Sequence, residues 1–456
     1  MARILKSYDP ATGELVGSVR ITAQTEIGNM VARAKDCQAQ WASLGVNGRR
    51  DILSCAASRL NDNAADLARL ITREMGKPLR ESLSEVGVVV DNFATDLSDI
   101  AKALEPDQYQ EGDIRSTVYH DPIGICACIT PWNYPVAIPH WLILPALMAG
   151  NTVLSKPSEK TPLVGNAYAS ILQEVLPPSV LQVVCGAGSI GQAIVNSSVD
   201  MIAFVGSSEV GKQILRRAPK DFKRVILELG GKDPLIVLHG ADVMAASTFA
   251  VRNGFRNAGQ ICVSTEHVIV IRDLAPQLIA SMVKETESLV IGNGMELKTQ
   301  LGPLVDVEQR DRVMRLVRGA VSRGARVLCG GAELEGSFMK PTILADISPG
   351  MAISQEEILG PVVCVHIVDS EEEAVCLANN SRYALGSVVF GPENAAMRVA
   401  RRLKAGMVGI NGAVRGARGA PWVGAQHSGY GFYGSAEGHR QFSQARVVTI
   451  KTGAKV

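Results

Sequence analysis

The chain has 456 residues, with 46 lysines and arginines against 45 aspartates and glutamates, for a formal net charge of +1. That length implies two or three domains, and the near balance, without a long single-sign block, excludes a nucleic-acid or membrane-surface footprint and points to a small partner. Nine scattered cysteines without a Cys-x-x-Cys fit free thiols rather than a disulfide scaffold, and the absence of a signal-peptide core or a run of about 20 apolar residues makes this read as a soluble cytoplasmic protein.

From Glu26 to Glu105 the apolar spacing is helical, as in Ile52-Leu53, Ala56 and Leu60, then Leu67, Leu70 and Ile71, with Gly76-Lys77-Pro78 as punctuation. Between Glu111 and Asp121, Ile114, Ser116, Val118 and His120 form an extended segment behind Gly112-Asp113. Short apolar runs then alternate with helical stretches: 124–129, 152–155, 181–184, 201–205, 225–229 and 235–238. A second set follows Gly259, at 267–271, 326–328, 362–368 and 386–390. Strands separated by helices at this spacing predict two α/β lobes with largely parallel sheets covered on both faces. The tail is glycine-rich from Gly406 to Gly438 and then extended over 446–451.

Gly206-Ser207-Ser208-Glu209-Val210-Gly211-Lys212-Gln213 follows an apolar strand and opens a helix, where backbone amides and the helix dipole attract phosphate. It nearly imitates a P-loop, but Gln213 stands where the Mg²⁺-binding hydroxyl belongs, and a plain glycine turn explains it equally well. Lys156-Pro157-Ser158-Glu159 offers a cation and a carboxylate after another strand, either for a ribose or as a solvated loop. Cys262 in Gly-Gln-Ile-Cys, Glu228 in Leu-Glu-Leu-Gly-Gly and Asn133 in Pro-Trp-Asn-Tyr-Pro supply a thiol, a carboxylate at a strand end and an amide donor. Covalent acyl chemistry needs these three groups. No metal is expected.

With Gly302-Pro303-Leu304, Pro341-Thr342, Glu356-Glu357-Ile358-Leu359-Gly360-Pro361 and Gly409-Ile410-Asn411 in the same order, the chain resembles the aldehyde dehydrogenase superfamily from Asp9-Pro10 to its last strand. The resemblance implies an NAD-binding domain (1–103 and 123–230) and a catalytic domain (231–427). It also implies an oligomerisation element (104–122 and 441–456) and a return segment (428–440), hence a homodimer or homotetramer. It further implies that Cys262 attacks the aldehyde, Asn133 and the Cys262 amide hold the oxyanion, hydride passes to the nicotinamide, and Glu228 activates water against the thioester. Lys156 and Glu159 are assigned to the adenosine ribose, Ser207 to the pyrophosphate and Glu357 to the nicotinamide ribose, with Gly206 and Gly211 allowing close approach. Glu159 would repel a 2′-phosphate, so NAD is expected to be preferred and NADP to remain possible.

Two stretches leave the family pattern. Leu359 replaces an aromatic, which is expected to loosen packing beside the nicotinamide. The run Pro-Phe-Gly-Gly-x-Lys-x-Ser-Gly-x-Gly-Arg-Glu appears as Pro421 to Tyr433 without its Lys, Arg and Glu. The aldehyde pocket is expected from Tyr134, Ile138 and Trp141 on one helix, with Ile261, Val263 and Trp422. Trp141 argues against succinate semialdehyde, whose enzymes commonly carry arginine there; a medium-sized neutral or amino aldehyde fits better. A succinate-semialdehyde or other semialdehyde dehydrogenase, a CoA-acylating enzyme and an inactive binding or structural homologue are the alternatives.

Overall fold

A computed structural model describes residues 3–451. Residues 452–456 of the expected terminal element and residues 1–2 lie outside them. The chain begins with a hairpin, Ile4–Tyr8 and Leu15–Arg20, whose mixed polar sequence hides it from pattern reading. The expected helical region resolves into Gln24–Ser43, Gly45–Ser54, Ala56–Asp62, Ala64–Met75 and Leu79–Ala103. Gly76 ends the fourth at φ 92°, and a Cβ there would meet Pro303 at 2.7 Å. Only glycine satisfies both conditions.

One sheet has six strands, in the order Gly429–Tyr430, Arg224–Glu228, Met201–Val205, Ile125–Ile129, Thr152–Lys156 and Leu181–Val183. All pairs are parallel except the first, an antiparallel edge contributed by the distant tail. Strand Ile125–Ile129 shows why both faces are covered. Cys126 and Cys128 pack with Trp41, Phe93 and Leu142 on one face. Ile125, Ala127 and Ile129 pack with Ile27, Ile190 and Ile214 on the other. The two-residue period sends alternate apolar side chains into two separate cores.

The second sheet has seven strands: Arg326–Cys329, Thr342–Ala345, Val362–Val368, Thr265–Ile271, Asp233–Val237, Gly386–Phe390 and Met407–Ile410. One expectation is corrected here. The run 235–238, grouped above with the first set, is strand Asp233–Val237 and pairs between Thr265–Ile271 and Gly386–Phe390. The chain changes sheets at Gly230-Gly231, directly after Glu228.

A third sheet is small. Gly112-Asp113 is the turn between Asp107–Glu111 and Ile114–Pro122, and Ser443–Lys451 pairs antiparallel with the latter along its whole length. Its outer faces expose Tyr109, Ile114, Val447 and Ile450. Among the described residues no helix is long and apolar enough to cross a membrane. Lys156 and Glu228 are each the last residue of a parallel strand, which puts both at the carboxyl edge where ligands of open α/β sheets bind.

Candidate active site

Asn133, Glu228 and Cys262 come from three separate elements and meet at this edge. Asn133 lies between strand Ile125–Ile129 and helix Ala137–Met148, Glu228 closes its strand, and Cys262 follows a tight turn. In that turn Asn257, Ala258 and Gly259 are all left-handed, at φ 51°, 53° and 70°. A Cβ on Gly259 would stand 2.1 Å from the Gly360 carbonyl oxygen. Two non-glycine residues in this region cost of order 1–3 kcal/mol each, so the surroundings must hold them. They do: Glu81 Oε2 accepts from the Asn257 amide at 2.9 Å, and Gln260 Oε1 accepts from the Val305 amide at 2.9 Å.

The Cys262 thiol donates to Glu228 Oε1 at 3.1 Å. Burial pushes the Cys262 thiol well up, and Glu228 beside it adds to the rise; burial also raises the Glu228 carboxyl, which hydrogen bonds from Tyr433 and Cys262 pull back. The hydrogen bond aims the thiol proton at a carboxylate whose basicity burial raises. Asn133 Nδ2 donates to the Gln260 carbonyl at 3.1 Å, and an amide nitrogen has a second N–H to give.

Sequence reading missed the support beneath Asn133. Lys77, taken there only as punctuation, is fully buried and donates to Glu85 Oε2 at 2.6 Å and to the Asn133 carbonyl at 2.7 Å. Glu85 Oε1 accepts from the amides of Val136 and Ala137 at 2.9 and 3.1 Å, capping the helix that Asn133 precedes. The Tyr433 hydroxyl, also missed, donates to Glu228 Oε2. Its ring stacks on Trp141 with centroids 6.4 Å apart.

The residues expected at the cofactor cluster along the same edge. Lys156 Nζ lies 3.5 Å from Glu159 Oε2, and burial lowers the lysine despite that partner. Ser207 caps helix Ser208–Arg217 by accepting from the Val210 amide at 3.4 Å. A Cβ on Gly206 would meet the Phe204 ring at 2.5 Å and one on Gly211 would meet Leu229 at 2.6 Å, so a side chain at either position would have to displace that neighbour. Glu357 Oε1 accepts from the Gly231 amide at 3.2 Å, and burial, reinforced by Glu266, pushes its carboxyl up to about 8. The altered segment at Leu359 is tightly pinned. Leu359 is left-handed at φ 53°, Glu266 accepts from the amides of Ile358 and Leu359 at 2.8 and 3.1 Å, and Gln309 and Arg312 bind the carbonyls of residues 357–359. Glu266 is itself paired with buried Lys232 at 2.7 Å.

The expected aldehyde wall needs one correction. Ile138 and Trp141 lie on helix Ala137–Met148, but Tyr134 precedes it, in the turn that proline 135 enforces. Ile138 and Ile261 are buried; Tyr134, Trp141, Val263 and Trp422 are half-buried. Arg256, unnoticed in the sequence, donates to the Tyr134 hydroxyl at 3.0 Å and lies within electrostatic reach of Cys262. Arg418, on the glycine-rich loop, is instead paired with Asp96 and Asp99 at 2.8 and 2.7 Å.

The sequence profile described as the aldehyde dehydrogenase family matches residues 2–448. The chain belongs to the aldehyde dehydrogenase family. It is 34% identical over 459 residues to a betaine aldehyde dehydrogenase of Sinorhizobium fredii, covering 99% of this chain and 94% of that one. It is 35% identical over 452 residues to a glutarate-semialdehyde dehydrogenase of Pseudomonas putida, covering 98% and 94%. Among solved structures, lactaldehyde dehydrogenase from Escherichia coli superposes with a TM-score of 0.95 at 30% identity, over 99% of this chain and 96% of that one. Betaine aldehyde dehydrogenase from Staphylococcus aureus, crystallised with NAD+, does so at 0.95 and 29% identity, over 100% and 95%. Like the rest of its family, this protein is an oxidoreductase acting on aldehydes. Against the family's pattern, Tyr433 occupies the position where the glycine-rich run ends in glutamate.

Proposed function

We propose that the protein oxidises an aldehyde to its carboxylic acid through a covalent adduct on Cys262. The observation that carries this is the Cys262 thiol 3.1 Å from Glu228, beside an Asn133 amide with one N–H uncommitted. Glu228 takes the thiol proton and the sulfur attacks the carbonyl carbon. The negative oxygen that forms meets Asn133 Nδ2 and the Cys262 backbone amide; one such donor is worth about 3 kcal/mol in the transition state. Oxidation of the adduct leaves a thioester; Glu228 passes the thiol proton to solvent, and the carboxylate so restored takes a proton from the water that cleaves the thioester and frees the Cys262 sulfur.

The residues present fit a nicotinamide dinucleotide. Lys156 and Glu159 match a vicinal diol, and the capped start of helix Ser208–Arg217 matches a pyrophosphate. Glu357 would hold the second ribose. When bound, the nicotinamide supplies the hydride acceptor. Glu159 disfavours a 2′-phosphate, so NAD is the preferred form and NADP the weaker one. The six-stranded lobe is then the NAD-binding domain and the seven-stranded lobe the catalytic domain. The three-stranded sheet, with its exposed edge strand Ser443–Lys451, suits strand addition between copies in a homodimer or homotetramer.

For the substrate, Tyr134, Ile138, Trp141, Ile261, Val263 and Trp422 favour a medium-sized neutral aldehyde. The face of Tyr134 already carries Lys77, whose ammonium sits 4.0 Å from the ring centroid, which weakens it as a seat for a cationic tail. Arg256 on the Tyr134 hydroxyl supports a second reading, an aldehyde with a distal carboxylate. The test is NADH formation from a panel of neutral, cationic and carboxylated aldehydes, with and without CoA. Turnover without CoA is expected; strict CoA dependence overturns hydrolysis, and no NADH with any aldehyde overturns oxidation.

A further inference from the structure

The glutamate missing from the end of the glycine-rich run has been replaced by a group that touches the base. Tyr433 is buried, and strand Phe432–Tyr433 pairs antiparallel with Trp422–Val423, so that Tyr433 faces Trp422. Glycines on either side, Gly431 at φ 76° and Gly434 at φ 83°, let the chain turn sharply into and out of this strand. Just upstream, Gly429 pairs with Glu228 itself. The segment thus runs along the Glu228 strand, doubles back, and delivers a phenol to the end of the same side chain.

We infer that Tyr433 is a positioning residue for Glu228: its hydroxyl claims Oε2 and turns Oε1 to the Cys262 sulfur, keeping the carboxylate aimed at the thiol proton. This rests on the proposed base role of Glu228. The proton moves from Sγ to Oε1, leaving a thiolate and a neutral carboxyl, while Tyr433 keeps its own hydrogen. The groups facing Glu228 are the Cys262 thiol, the Tyr433 phenol and the Trp422 indole. Asp233, Glu357 and Arg256 act on Cys262. Burial raises the Glu228 carboxyl and the Tyr433 bond lowers it, so losing that bond moves proton uptake to higher pH.

Tyr433→Phe tests this because it keeps the ring on Trp141 and removes only the hydroxyl. The ascending limb of kcat/KM against pH should move up by about one unit, the size of one hydrogen bond to a charged group. At a fixed pH well below the limb, kcat/KM should fall about tenfold and recover above the new limb, with KM for NAD unchanged. Replacing Tyr433 by a fluorotyrosine, a stronger donor, should move the limb the other way. An infrared titration of the Glu228 carboxyl, its band assigned by loss in Glu228→Gln, should show the same displacements without relying on turnover. If the band titrates at the same pH in wild type and Tyr433→Phe, the inference is wrong. If the band shifts but the kinetic limb survives Glu228→Gln, Tyr433 positions the carboxylate but the base role of Glu228, and with it the aim at the thiol proton, fails.

Discussion

The turn that presents Cys262 and the segment from Pro421 to Tyr433 approach the same carboxylate from opposite sides, and they are built differently. The first is held in a strained backbone, with consecutive left-handed residues and a glycine pressed against the Gly360 carbonyl. The second is a ladder of short strands. Gly429–Tyr430 lies on the Glu228 strand, Trp422–Val423 on Phe432–Tyr433, and Ala425–Gln426 on Tyr383–Ala384. Strained backbone tolerates few side chains, so a sequence there stays close to its family's motif. A ladder is held by main-chain groups, so its side chains can change while its course does not. The loss of the run's Lys, Arg and Glu falls in the ladder; Leu359, the other departure, lies outside it at φ 53°, as the thiol, amide and carboxylate also do.

Mutations sharpen this contrast from the largest expected effect to the smallest. Cys262→Ser should lower aldehyde-dependent NADH formation by at least about a thousandfold, since the serine hydroxyl is a far weaker acid and nucleophile than the thiol it replaces. Asn133→Ala should cost about 10²–10³ in kcat with little change in KM for aldehyde, the mark of a donor used only when negative charge develops. Glu228→Gln should reduce steady turnover about a hundredfold, because thiol activation and deacylation both lose their base, and a pre-steady-state burst of NADH should appear at high pH, where the thiol ionises unaided and deacylation alone is slow. Unchanged steady turnover there would remove Glu228 from the hydrolytic step. Glu159→Gln should alter the ratio of kcat/KM for NAD over NADP by several-fold, as one screened charge allows at a partly exposed position; an unaltered ratio would detach Glu159 from cofactor choice.

Legibility in the sequence followed how local the cause was. Met201–Val205 is a continuous apolar run, and Val362–Val368 and Gly386–Phe390 are mostly apolar and rich in valine, so their limits could be read directly. Thr342–Ala345 and Met407–Ile410 are four residues each, one beside proline and one containing glycine, and show no periodicity long enough to register. The motifs holding Asn133, Glu228 and Cys262 are visible because each combines a reactive side chain with turn residues that must accompany it. Lys77 was invisible because Gly-Lys-Pro also ends a helix, and its partner Glu85 is eight residues on, inside the next helix. Arg256 is a lone cation without a pattern, and Tyr433 gains its meaning only from a strand far upstream.

That last separation governs when the site can exist. Tyr433 and Glu228 are 205 positions apart, and Ser428, whose hydroxyl donates to the Gly230 carbonyl at 2.7 Å, closes a span of 198. Contacts so distant along the chain form late, after the cost of closing a long loop has been met by the lobes between them. A nascent chain therefore carries its thiol and base in place well before the tail arrives to fasten the base. A polypeptide stopped before Ser428 would hold a complete second sheet yet lack the edge strand and the phenol that finish the first.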